Sequence, residues 1–151
     1  MSYYIEFLSF YRNSFLGSIR TETSLSTSIR ETAICRVAVL NKAWYEWEHH
    51  APLLRASTGV TEKHINTVLN SHPYEINGSL INEQHAAVMA YTDAMTLGVR
   101  VPDVTFERLK SVFGAKEVVE ITATIAAYNC VSRFLVALDV GERNKQSSPV
   151  Q

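Results

Sequence analysis

Residues 29–44 read IRETAICRVAVLNKAW, and this stretch is apolar on nearly every face of the helix it would form. A helix without a polar face is normally buried at the centre of a bundle, because each of its sides must be covered by another element. The stretch therefore predicts an all-α protein, a single-domain helical bundle built around this segment.

The rest of the chain predicts more helices, with Gly and Pro residues between them. Residues 3–20 carry apolar side chains at a spacing of three and four, which indicates an amphipathic helix. These are Tyr4, Phe7, Leu8, Tyr11, Phe15 and Ile19. Further helices are predicted from Tyr45 to Gly59 and at 61–69, 83–97, 104–113 and 116–138. We expect a kink or a break at 48–52, because Pro52 removes a backbone donor there.

Three regions follow from this pattern: an N-terminal amphipathic helix at 1–20, a main helical domain at 21–140 and a mobile tail at 141–151. The length of 151 residues suits one domain. With 19% charged residues and a formal charge of -1, the composition gives no electrostatic reason for nucleic-acid binding.

Targeting signals and cysteine motifs are the next features to consider. No stretch is long enough to span a membrane, and Glu6 and Arg12 interrupt the apolar opening before a signal-peptide core could form. We therefore expect a cytoplasmic protein. Cys35 and Cys130 lie far apart without CxxC spacing, so neither a zinc ribbon nor a redox dithiol is predicted.

Residues 44–50, WYEWEHH, carry the densest chemistry of the chain. Glu46, His49 and His50 have the spacing that places three side chains on one helical face. A carboxylate beside an imidazole forms an acid/base pair that can work near neutral pH. The alternative is a solvated face with an intrahelical ion pair. The aromatic residues around it favour an apolar surrounding, since they are costly to leave in water.

A metal site is the other reading of this stretch, because Glu46-x-x-His49 has the spacing that di-iron bundles use. No second ExxH and no HExxH occurs, so half of the ligands are missing and no metal is predicted. His64, His72 and His85 are expected to be surface or loop histidines.

Two further sets of polar residues have both a structural and a functional interpretation. Glu31 either forms a capping box with Ser28 or belongs to a site. In the last helix Tyr128, Asn129 and Arg133 interrupt an aliphatic run, and they either hydrogen-bond within the core or bind a ligand.

Residues 28–69, SIRETAICRVAVLNKAWYEWEHHAPLLRASTGVTEKHINTVL, combine an RE pair, an EWxxH segment and a GVT stretch that continues into a helix. This order resembles the carboxymuconolactone decarboxylase family, which includes the alkyl hydroperoxidase D-like proteins. The last helix, VVEITATIAAYNCVSRFLVALDV, is similar to that family's closing helix. The resemblance covers roughly residues 20–140, and it implies an all-α fold and homo-oligomers, trimers or hexamers.

The resemblance also implies which branch of the family to expect. The peroxidase branch carries a glutamate, a CxxC and a histidine, which fall on Glu31, on Ala43 and Glu46, and on His50. Both thiols are therefore missing, and without a thiolate no peroxide-reducing nucleophile exists. A thiol peroxidase is not expected.

The decarboxylase branch has EWxxH in that place, and it implies a cofactor-independent lyase that decarboxylates a small carboxylated lactone. The catalytic residues expected are His50, Glu46 and Glu31, with no metal and no cofactor. Arg30, Arg36 or Arg133 is expected to bind the substrate carboxylate. The other expected substrate-binding residues are Tyr45, Trp47, His49, Tyr128, Asn129 and Arg133.

Alternatives to this function remain. The aromatic residues near the motif suggest a larger polycyclic acid as substrate, and the same acid/base pair suits an isomerase or cyclase of a biosynthetic pathway. A non-catalytic assembly subunit is the third possibility, and it predicts that side chains fill the space around His50.

Overall fold

The computed structural model describes residues 15–76 and 80–149, and these residues form α-helices with no β-strand among them. The predicted all-α class is therefore confirmed. The helices are α1 (Phe15–Thr21), α2 (Thr27–Leu40), α3 (Trp44–Arg55), α4 (Glu62–Asn70), α5 (Glu83–Leu97), α6 (Asp103–Val112) and α7 (Ala115–Ala137). None of them has the length and apolar character needed to cross a membrane.

Helix α2 lies at the centre of the bundle, as its sequence predicts. It packs against α3, α5 and α7, and nine of its fourteen residues are buried. The helix begins after Ser26, whose side chain accepts a hydrogen bond from the Ile29 backbone N–H at 3.3 Å. It ends before Asn41, and the left-handed backbone at Lys42 (φ 55°) turns the chain back into α3.

Two apolar clusters lie on different sides of α2. One cluster joins α1, α2, α5, α6 and α7. The other joins α2 to α3, α4 and α5, and it contains both tryptophans. Since α2 contributes to both clusters, polar side chains on this helix are held at fixed positions between packed layers.

Helix α3 tests two expectations about this segment. It runs without a break through Pro52, so of the two expected alternatives, a kink or a break, the break is wrong. It also ends at Arg55 rather than at Gly59. Gly59 does have the left-handed conformation (φ 79°), but it lies in the turn between α3 and α4.

The predicted N-terminal helix lies mostly outside the described residues, and α1 corresponds to its last part. At the other end, a 3₁₀ turn at Val140–Glu142 leads the chain back over α3. The Trp44 indole N–H donates to the Gln146 carbonyl at 2.9 Å, and Arg143 pairs with Glu48 at 3.0 Å. These contacts tether part of the segment that the sequence predicts to be a mobile tail.

Candidate functional site

The carboxylate of Glu31 and the imidazole of His50 meet between α2 and α3. His50 Nδ1 donates to Glu31 Oε2 at 2.7 Å, and both side chains are almost completely buried. Because Ser26 caps α2, the carboxylate of Glu31 is not used in a capping box with Ser28, and that interpretation is wrong. Of the two candidate partners of His50, the structure thus selects Glu31.

Arg20, near the end of α1, occupies the other side of the imidazole. Its Nη2 lies 3.3 Å from His50 Nε2, and its Nε donates to the Tyr128 hydroxyl at 2.7 Å. Since a guanidinium only donates hydrogen bonds, this contact requires Nε2 to accept. The geometry therefore fits a neutral His50 with its proton on Nδ1 and a lone pair on Nε2.

Tyr128 on α7 completes the enclosure of the imidazole. Its ring meets the His50 ring edge-on with centroids 5.0 Å apart, and the guanidinium carbon of Arg20 lies 5.9 Å from its centroid. Burial raises the pKa of Tyr128 to about 12, and the positive charge of Arg20 opposes this shift. The phenol therefore keeps its proton near neutral pH and can donate it to a hydrogen bond.

Glu46 lies one turn before His50 on α3 and is only 2% exposed. Neither carboxyl oxygen has a hydrogen-bond partner among the described residues. Burial raises the pKa of this carboxyl well above its usual range, and the charge of Arg20 only partly opposes the shift. A buried carboxyl without partners keeps its proton more readily than an exposed one. Glu31, in contrast, faces His50 and Arg30, which are partners for a negative charge.

Cys35 follows Glu31 by one turn on α2 and is completely buried. Burial, followed by the charges of Glu31 and Glu46, raises its thiol pKa well above the ordinary value. A thiol of this kind forms little thiolate and is a poor nucleophile.

The three arginines expected to bind a substrate carboxylate lie in different surroundings. Arg36 is completely buried, and its Nε and Nη2 bind both oxygens of Asp93 at 2.6 and 3.0 Å. Arg30 contacts the Glu31 carboxylate at 3.3 Å. Arg133 hydrogen-bonds to Asn129 and Thr96. Arg20 is the arginine that lies beside His50, and sequence spacing gave no signal for it, since 30 and 108 residues separate it from His50 and Tyr128.

The predicted substrate-binding residues divide between several places. Tyr128 joins His50, and Trp47 is buried in the apolar cluster that contains α3. Tyr45 and His49 pack on each other with ring centroids 4.3 Å apart, and the exposed His49 binds the Tyr45 carbonyl. Asn129 belongs to a separate network in which it binds Asn41, Thr96 and Arg133.

Two of the isolated histidines, His64 and His85, do not lie where they were expected. His64 and His85 are not surface histidines: they are 4% and 6% exposed, and their rings pack with centroids 4.4 Å apart. Thr32 donates its hydroxyl proton to the Ser28 carbonyl, so His64 Nε2 donates to the Thr32 oxygen. Helical spacing within one segment could not show this pair, because it joins α4 to α5.

Similarity to known proteins is found at the level of structure. No family model matches the chain, and no curated protein has a significantly similar sequence. A crystal structure of a protein of unknown function from Agrobacterium tumefaciens, provisionally described as the antioxidant defence protein AhpD, is similar to this chain. The TM-score is 0.68 at 22% sequence identity, over 91% of this chain and 88% of that one. The bundle that holds Glu31 and His50 in place therefore has the alkyl hydroperoxidase D-like fold.

Proposed function

We propose that this protein is a cofactor-independent acid/base lyase that decarboxylates a small carboxylated lactone or a polycyclic acid. The observation that supports it best is the buried array in which His50 binds Glu31 through Nδ1 and Arg20 through Nε2. An imidazole that a carboxylate holds at Nδ1 can take up a proton at Nε2 once the arginine leaves that nitrogen, and the carboxylate keeps the ring oriented.

Arg20 supplies the positive charge that an anionic substrate requires. Its guanidinium makes no ion pair with a carboxylate among the described residues, and it contacts His50 and Tyr128. A substrate carboxylate that binds Arg20 draws it away from His50 Nε2, because charge-assisted hydrogen bonds are stronger than those to a neutral ring. Substrate binding then frees the lone pair of the imidazole to take up a proton.

The proton that His50 takes up is the one that replaces carbon dioxide. The bond between the substrate and its carboxylate breaks, CO₂ leaves, and the electron pair moves into the conjugated carbonyl to form a dienolate. The Tyr128 hydroxyl can stabilise the dienolate oxygen. The imidazolium, which forms by uptake of one proton from solvent and which Glu31 stabilises, then protonates the distant carbon and returns to the neutral ring. The net reaction exchanges CO₂ for one proton.

Glu46 favours a second candidate, an isomerase or cyclase. A neutral buried carboxylic acid one turn from a neutral imidazole provides a proton donor and a proton acceptor on the same helix. A proton donor and a proton acceptor placed one turn apart can remove a proton from one carbon and return another elsewhere. In this reaction no CO₂ is released.

An assay of product and gas together tests these proposals. Purified protein is incubated with a panel of carboxylated lactones and polycyclic acids, and CO₂ release and product mass are followed. We expect CO₂ and a product lighter by its mass; a product of unchanged mass indicates the isomerase instead.

Two arginine variants test the role of Arg20. Turnover should fall strongly in Arg20→Gln and stay near wild type in Arg55→Gln, because Arg55 is an exposed arginine paired with Glu62. Equal turnover in both variants would contradict the role of Arg20.

The family branch is part of the proposal. By resemblance, Ala43 and Glu46 occupy the positions of the peroxidase cysteines. Cys35, the cysteine nearest this cluster, has a raised pKa and is buried. We therefore propose the decarboxylase-like branch and no thiol peroxidase activity.

We also propose a homo-oligomer of three subunits or a multiple of three. The described residues leave several large apolar side chains about half exposed or more, including Phe15, Leu53 and Leu97. Exposed apolar surface of this kind is commonly covered by assembly. Light scattering after size exclusion tests the proposal, and a stable monomer at micromolar concentration would contradict it.

A further inference from the structure

A cavity of about 390 Å³ opens between the end of α5 and the middle of α7, apart from His50. Met95, Leu97, Val99 and Ala126 give it an apolar lining, and Asn129 and Arg133 add polar groups. Its volume falls at the lower end of the range of small-molecule sites. The cavity belongs to neither the Glu31–His50 pair nor the two buried histidines of α4 and α5.

The guanidinium of Arg133 has no carboxylate partner in the parts of the chain that the structure describes. Its Nη1 donates to the carbonyl and side-chain oxygens of Asn129, and its Nη2 donates to the Thr96 carbonyl at 3.3 Å. A guanidinium has five N–H donors, so the Nε–H and one Nη2–H remain. These two groups form one edge of the guanidinium, and a carboxylate binds such an edge through both oxygens.

Asn129 holds this guanidinium in a fixed orientation. It is 8% exposed, and its amide donates to the Thr96 hydroxyl at 3.0 Å and to the Ile125 carbonyl at 3.1 Å. Its side-chain oxygen accepts from both Arg133 and Asn41. A cation that is positioned before its ligand arrives loses little conformational entropy on binding.

We propose that this cavity is a second binding site, which takes a monocarboxylate with an apolar body. The carboxylate pairs with the free edge of Arg133, and the apolar body lies along Leu97, Val99 and Ala126. Leu97 is 50% exposed and Val99 is completely exposed, so an apolar ligand would remove both side chains from water. The proposal does not depend on the reaction at His50.

Isothermal titration calorimetry with octanoate tests this site, with octanamide as the uncharged probe. We expect saturable binding of octanoate and affinity at least about tenfold lower for octanamide, which lacks the charge that the guanidinium recognises. Arg133→Gln should lower octanoate affinity by about tenfold or more. Ala126→Leu, which fills the cavity from α7 and removes no hydrogen bond of Arg133, should also weaken binding.

Two control variants separate this site from other sources of affinity. Arg100→Gln removes an exposed arginine that does not line the cavity, and octanoate affinity should stay within about twofold. Arg20→Gln should leave it equally unchanged. Absence of saturable binding, or equal affinity in wild type and Arg133→Gln, overturns the proposal. If Arg20→Gln alone abolishes binding, octanoate occupies the His50 site and the proposal is likewise wrong.

Discussion

His50 and His85 are both buried, and in each the Nδ1 atom lies 2.7 Å from a fixed side-chain oxygen. The oxygen beside His50 belongs to the Glu31 carboxylate, whereas the oxygen beside His85 belongs to the Asn82 amide. On the opposite side His50 Nε2 faces the Arg20 guanidinium, and His85 Nε2 is buried without a partner among the described residues. Burial and hydrogen-bond geometry are similar; the charge of the neighbours differs.

This difference decides what each imidazole can do. A carboxylate stabilises a protonated ring, so His50 can accept and release a proton within its buried position. None of these neighbours of His85 carries a negative charge: the ring of His64, the amide of Asn82 and, through His64, the hydroxyl of Thr32. Protonation there has no compensating charge. We therefore propose proton transfer for the first histidine and packing for the second.

The largest effect is expected when the first histidine loses its proton-carrying ring. Replacing His50 by Gln keeps much of its size and hydrogen bonding, but turnover should fall by about two to four orders of magnitude. His49→Gln is the matched control, because His49 is exposed and binds only the Tyr45 carbonyl and ring. Steady-state kinetics on any substrate found by the panel measure the two variants. Near wild-type activity of a folded His50→Gln protein would contradict the proposed acid/base role of His50.

The second histidine should instead appear in the pH dependence of stability. Burial lowers the pKa of His85 to about 4, with His64 adding to the shift. Because the folded pKa lies below the unfolded value of about 6.5, the unfolded chain binds the proton first. Stability should therefore fall as pH decreases from about 6.5 to about 4, by about 3 kcal/mol.

Urea unfolding at several pH values measures this loss. His85→Gln should reduce it, whereas His72→Gln, at an exposed loop position, should leave it unchanged. If His85→Gln and wild type lose the same stability between pH 6.5 and 4, the buried pair is not the acid-sensitive element.

A smaller effect is expected at Glu46, the buried carboxyl that shares α3 with His50. Its folded pKa is raised, so the folded state holds a proton that the unfolded state has released. Stability contributed by this carboxyl is thus present below about pH 4.5 and is lost as pH rises toward the folded pKa. Glu46→Gln should make unfolding free energy fall less steeply with rising pH.

The matched control is Glu75→Gln, which changes an exposed glutamate. Its pH profile should follow that of wild type. A Glu46→Gln profile parallel to both would mean that Glu46 is charged in the folded protein, and the isomerase alternative would lose its proton donor.

The sequence predicted those parts of the molecule that depend on local spacing. The unbroken apolar pattern of 29–44 placed α2 at the centre, and the WYEWEHH stretch located His50. Glu31 could be named beside Glu46, but only the crossing of α2 and α3 shows which of them reaches the imidazole. Spacing on one helix favoured Glu46, whose side chain is in fact buried without a partner.

What the sequence could not predict are the contacts between distant segments. Arg20 contacts His50 and Tyr128 from another helix, and Arg36 forms a buried ion pair with Asp93. An arginine looks the same in sequence whether it faces an open site or a buried carboxylate. The contact between His64 and His85 could not be predicted for the same reason, because it joins two helices and neither helix shows it in its own spacing.

The smallest effect is expected at Cys35, which lies on α2 in the apolar cluster that contains α3 and α4. Turnover of Cys35→Ser should stay within about twofold of wild type, because a buried thiol with a raised pKa supplies no thiolate. The new hydroxyl can bond to the carbonyl one turn earlier, so its burial should cost only about 1 kcal/mol. Thermal unfolding should show this as a decrease of about 2–4 °C. Cys35→Ala, which adds no polar group, separates the polarity cost from the packing cost. If both variants lost activity as severely as His50→Gln while remaining folded, a thiol would have to take part in the reaction, and the contrast between the two histidines would no longer account for it.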